Sequence, residues 1–104
     1  MACLDLDGAL WNMKFNIGMT YITNGVDAKI KSDDKFAKFV ANSFKRHVNG
    51  DWGELCEEDK QLNERALKNG DDRLFSRYEN GENSIYIITE WDRSVTTILF
   101  PNEY

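Results

Sequence analysis

At 104 residues and 12.1 kDa, with 41% hydrophobic and 12% aromatic residues, the chain can bury one small core, which argues against a second domain and against intrinsic disorder. A net charge of −5 and a pI near 4.8 argue against general nucleic-acid binding, which leans on Lys and Arg to neutralise phosphates. Such a balance serves solubility, or the occupation of a basic surface on a partner.

Residues 1–12, MACLDLDGALWN, have no clean period and run up to a second methionine. Met13 is read as the native start, with residues 1–12 an N-terminal extension expected to be frayed and residues 13–104 the folded domain. No basic segment precedes an apolar one at the N-terminus, and the apolar runs are far too short to span a membrane. Cys3 and Cys56 form neither a C-x-x-C pair nor a disulfide framework. Together these features predict a cytoplasmic protein with reduced thiols.

From Lys14 to Thr23, Phe15, Ile17, Met19 and Tyr21 alternate with polar or small residues, which predicts a strand. Asn24-Gly25 reads as the turn that closes it. Ser32, Asp33 and Asp34 then offer a cap and negative charge to a helix over 33–48, with Phe36, Phe39, Val40 and Phe44 on one face. Asn49-Gly50 ends that helix. A second helix is predicted over 57–69. Its first turn is acidic, Leu62, Ala66 and Leu67 face inward, and Asn69-Gly70 stops it. The remainder predicts a three-stranded antiparallel meander: 73–79, a hairpin at Asn80-Gly81, 84–90, a turn at 92–94, and 95–100 before Pro101. In the middle strand Ile85, Ile87, Thr89 and Trp91 share one face, and Tyr86 and Ile88 the other. The expected fold is α+β, in the order β-α-α-β-β-β, with the meander packed on two helices.

Two blocks are specific beyond their periodicity. One is "RHVNGDWGELCEEDKQLNERAL", with an intact R-H-x-x-G-D-W-G core; the other is "ITEWDRSVTTILFPNEY". With the opening "FNIGMTYITNG", these blocks resemble an uncharacterised family of small bacterial proteins found on plasmids, conjugative transposons and other mobile genetic elements. The resemblance covers residues 13–104 and implies an accessory protein of such an element, with no proven activity attached. It departs at Asn24, where the family often has proline, and at Gly70-Asp71-Asp72, where it often has a double glycine.

His47, Asp51 and Glu54 could in principle meet a divalent metal, since imidazole and carboxylates are suitable ligands. However, Gly50 breaks the helix between His47 and Asp51, and the spacing matches no metalloenzyme motif, so neither metal nor cofactor is assigned. His47 also lies eleven residues past Phe36, close to three helical turns, so it points with the apolar stripe. It can then serve as a capping histidine bonded to Asp51 or Glu54. Trp52, between two glycines, suits a plug between the helices and the sheet. In the tail block, Glu90, Asp92, Arg93, Ser94, Thr96 and Thr97 gather charges and hydroxyls at a hairpin end. Arg93 is expected to form a fork with Glu90 or with an acid near His47, which would join the two blocks as one polar network.

These residues admit two functions. In the first, His47, Asp51, Trp52, Glu54, Glu90, Asp92 and Arg93 form the binding surface of a non-catalytic protein-interaction module whose partner is a protein. In the second, the chain is a metal-independent ribonuclease-like enzyme. His47 is then the acid/base, Arg93 the phosphate clamp, and Thr96 or Tyr78 an orienting donor. The interaction module is the preferred reading, and no catalytic set is assigned.

Overall fold

The computed structural model describes residues 2–3 and 13–104. The expected frayed extension lies outside the described residues apart from Ala2 and Cys3. Three helices pack beside a mixed sheet, in the order β-α-α-α-β-β-β from Met19 onward. The strands are β1 (Ala2–Cys3), β2 (Met19–Ile22), β3 (Leu74–Glu79), β4 (Ser84–Thr89) and β5 (Val95–Leu99). The helices are α1 (Asn24–Ser32), α2 (Asp34–Val48) and α3 (Glu57–Asn69), and a short 3-10 turn, Pro101–Glu103, follows β5.

β3, β4 and β5 form the expected antiparallel meander, with Leu74 opposite Thr89 and Tyr86 opposite Leu99. β2 joins it in parallel beside β5, Thr20 opposite Thr96. The two-residue β1 backbone pairs antiparallel with Tyr21 and Ile22. The sheet order is therefore β1-β2-β5-β4-β3.

α2 starts where its cap predicts: the Asp33 carboxylate accepts the Lys35 and Phe36 N–H groups at 3.0 and 3.2 Å. Its buried stripe is Phe36, Val40, Phe44, His47 and Val48, spaced by three and four residues. It lies on the inward face of the sheet, formed by Ile22, Tyr78, Ile85, Ile87 and Ile98. Each fully buried Phe or Ile there contributes on the order of 2 kcal/mol.

Two expectations are corrected. The first strand is only four residues long, because residues 13–18 take another path. The Lys14 N–H donates to Val48 O at 2.8 Å, Phe15 joins the Trp52 cluster, and Gly18 turns at φ +62° against the Ser94 carbonyl. Asn24-Gly25 is also not a turn but the start of α1. Thr23 caps this helix by accepting the Val26 N–H at 3.4 Å, and Thr23 in turn donates to Glu103 Oε1 at 2.6 Å. That carboxylate, delivered by residues 80 positions away, stands at the positive end of the helix.

α3 lies along the outer edge of β3 and satisfies it. The Asn63 amide accepts the Phe75 N–H at 3.0 Å and donates to the Phe75 carbonyl at 2.5 Å, replacing a neighbouring strand. One residue pair further on, Arg77 exchanges backbone bonds with Trp52 and Glu54. The Glu79 N–H then donates to the Glu54 carboxylate at 3.1 Å. Every second residue of the edge is thereby occupied, which removes a template for pairing with another chain.

Candidate functional site

The joint from Arg46 to Glu54 folds as a charged outer layer over a sealed interior. Arg46 Nε donates to Asp51 Oδ2 at 2.8 Å, and Nη2 donates to Oδ1 at 3.2 Å. Glu54 lies 3.7 Å from the same guanidinium. The hydrogen bond from Arg46 holds the Asp51 carboxyl below its ordinary range. Asp51 Oδ1 also accepts the Gly53 N–H at 3.1 Å, and Tyr78 donates its hydroxyl to the Asp51 carbonyl at 2.6 Å. Burial pushes the Tyr78 phenol up.

His47 does not meet these acids. It is fully buried one position further round α2, on the face toward the sheet. Its Nδ1 is 2.6 Å from Ser76 Oγ and its Nε2 2.9 Å from Thr89 Oγ1. Thr89 Oγ1 is 2.8 Å from Thr96 Oγ1, and Thr96 donates to the Ile17 carbonyl at 2.7 Å. Donor counting fixes the direction of this chain. A carbonyl only accepts, so the single Thr96 proton goes to Ile17. Thr89 must therefore donate to Thr96, and Nε2–H must donate to Thr89. In the neutral ring Nδ1 is then the acceptor, and Ser76 donates to it. Burial keeps the ring neutral, lowering its pKa to about 3. The sequence-level bond from His47 to Asp51 or Glu54 is thus replaced by four hydroxyl and carbonyl links across α2, β3, β4, β5 and the segment before β2.

Trp52 is 3% exposed and fills the corner between α2, α3 and β3, packed with Ala66 and Leu74. Its ring meets His47 edge-on at 5.8 Å and stacks on Phe15 at 6.1 Å, and its Nε1–H donates to Glu64 at 3.1 Å.

Arg93 likewise departs from expectation. It forms no fork with the Glu90 carboxylate. Its φ is +61°, and its guanidinium donates to backbone carbonyls instead: Asp72 at 2.6 Å, Glu90 at 3.2 Å, Trp91 at 3.3 Å and Ala66 at 3.2 Å. The positive group sits at the C-terminal end of α3, where it shares the Ala66 carbonyl with the Gly70 N–H and the helix dipole favours a cation. Asp92 accepts from the Ser94 hydroxyl at 2.6 Å and its N–H at 3.0 Å, and that hydroxyl bond lowers the Asp92 pKa. Glu90 is exposed. The two specific blocks do meet, inside the core through His47, Thr89 and Thr96, and at the surface through Arg93 on the Ala66 carbonyl rather than on a carboxylate. Among the described residues, no three metal-ligating side chains converge.

An open cleft lies elsewhere and was not expected from the sequence. Phe75 and Tyr86, which project from the outer face of β3 and β4, form with Tyr104 the floor of a cleft of about 340 Å³ beside α3. The ring centroids are 4.7 Å (Phe75–Tyr86), 5.9 Å (Tyr86–Tyr104) and 6.1 Å (Phe75–Tyr104) apart, with planes inclined by 58°, 87° and 41°. Leu62, Asp59 and Asp72 form its rim. The Arg73 guanidinium lies 5.5 Å from the Tyr104 ring and 5.9 Å from Phe75. The alternation of Tyr86 and Ile88 signals a second apolar face, but nothing local brings Tyr104 to it.

Comparison with known proteins adds no relative: no protein-family model, curated protein or solved structure matches the chain.

Proposed function

We propose that the protein is a small cytoplasmic accessory protein of a mobile genetic element, acting as a non-catalytic protein-interaction module. The genetic setting rests on the resemblance carried by the "RHVNGDWG" and "ITEWDRS" blocks. The mode of action rests on one observation. The chain's single histidine, the natural proton-transfer group near neutral pH, is fully buried with both ring nitrogens engaged. By contrast, the accessible surface offers an aromatic cleft with an acidic rim, and no helix among the described residues is long and apolar enough to cross a membrane.

The ribonuclease-like alternative needs His47 and Arg93 at an open phosphate site, with Thr96 or Tyr78 as orienting donor. His47, Thr96 and Tyr78 are fully buried, and the Arg93 donors point at backbone carbonyls. No observation favours that reading. Affinity capture from the host, combined with size-exclusion light scattering, tests the module: a specific stoichiometric partner or self-association is expected. Strictly monomeric behaviour with no partner recovered overturns it.

A further inference from the structure

The cleft under Tyr104 has the composition of a site for a cation. Inclined aromatic rings present negative faces that attract guanidinium and ammonium groups. Three such rings meet here within 6.1 Å of one another. The cleft already seats one cation, Arg73, and among the described residues this guanidinium has no ion pair with a carboxylate. Asp59, on the rim, likewise has no ion-pair partner among the described residues, and Asp72 spends one oxygen on the Arg73 backbone N–H at 2.7 Å. Two carboxylates against one guanidinium leave the cleft net negative, within a chain of net charge −5. Arg73 is exposed, on the approach to β3, and can leave the rings without disturbing the core.

We propose that this cleft receives a lysine or arginine side chain from a basic segment of a partner protein, and that Arg73 is its internal stand-in, displaced on binding. The proposal rests on the interaction-module reading and names the chemistry of the partner. The incoming cation gains the Phe75, Tyr86 and Tyr104 rings together with Asp59, while Arg73 swings to solvent.

The test is a fluorescence-anisotropy titration with a labelled arginine-serine repeat peptide, using a glutamate-serine repeat as the opposite-charge probe. The arginine peptide is expected to bind. Asp59→Asn and Tyr104→Ala each weaken it about three- to fivefold. Asp34→Asn, which removes the same charge on α2, leaves it within about twofold of wild type, as expected for a distant screened charge. Arg73→Ala strengthens binding about threefold as the internal competitor disappears, whereas Lys38→Ala, an equal charge change elsewhere, does not. In the peptide titration the proposal is overturned by no binding, equal weakening by Asp34→Asn and Asp59→Asn, no gain from Arg73→Ala over Lys38→Ala, or capture of the glutamate peptide that is lost in Arg73→Ala. A partner whose binding survives both Asp59→Asn and Tyr104→Ala also overturns the cleft, yet leaves the module reading standing. Absence of any partner removes the module reading itself.

Discussion

An imidazole closed off from water among hydroxyl groups, with no carboxylate beside it, makes folding depend on proton concentration. His47 titrates near 6.5 when unfolded and near 3 when folded, because burial penalises its charge. Between those values the unfolded chain holds one proton more than the folded one, so stability is complete above about pH 6.5 and falls as pH falls. The slope is about 1.4 kcal/mol per pH unit. Denaturant unfolding at pH 7, 6 and 5 should show it, and this window belongs to the sole histidine, before the carboxylates titrate. A second expectation follows from donor counting. Thr89→Val leaves Nε2–H without an acceptor and Thr96 without its donor, at a cost of about 1–3 kcal/mol in thermal or denaturant unfolding. Helical spacing was enough to read His47 onto the apolar stripe from the sequence. Its partners were not legible, since Ser76, Thr89 and Thr96 lie 29 or more residues away and register alone brings them together.

At the scale of elements, α2, α3 and the meander were legible because each carries its own start, stop and period. Asp33 and Asn49-Gly50 bracket α2, Gly70 ends α3 at φ +69°, and Asn80-Gly81 marks the hairpin. α1 was not legible, for a physical reason. Its apolar content is thin, only Val26 is buried, and part of what holds its first turn arrives from Glu103. Thr23 itself is an ordinary N-cap residue. The parallel alignment of β2 with β5 was equally hidden, since no local signal encodes which edge a solitary strand joins. Edge protection is the element-level prediction. Asn63→Ala should strip both Phe75 backbone groups of their partners, cost about 1–3 kcal/mol, and promote concentration-dependent association through β3, detectable by light scattering. Gly53→Ala should be more damaging than a usual surface change. Gly53 sits at φ +76°, and a methyl group there would run into the Arg77 carbonyl.

For the whole molecule, the layout separates a sealed polar chain inside the core from an acidic, partly aromatic exterior. The candidate site was only half legible on this scale. The residues singled out in the "RHVNGDWG" and "ITEWDRS" blocks prove to be the braces of the fold: Arg46 with Asp51, Trp52 in its corner, Arg93 on the end of α3. The cleft draws on both blocks, Asp59 and Leu62 from the first and Tyr104 from the second, but Phe75 and Tyr86 come from outside them, and only the assembly of β3, β4, α3 and the C-terminal turn brings these residues together. The bond from Thr96 to Ile17 spans 79 residues, and that from Thr23 to Glu103 spans 80. β2 therefore waits unpaired on its β5 side throughout synthesis until β5 has left the ribosome, and the histidine chain cannot close before then. Loop closure over such distances is costly before any contact rewards it, so refolding should be slow, on the millisecond-to-second scale of non-local sheets rather than the microseconds of helical bundles. Stopped-flow fluorescence of the tryptophans measures this directly. During translation the helices α1 to α3 are exposed without their sheet, an interval in which the growing chain depends on its acidic surface, or on a chaperone, to stay apart from its neighbours.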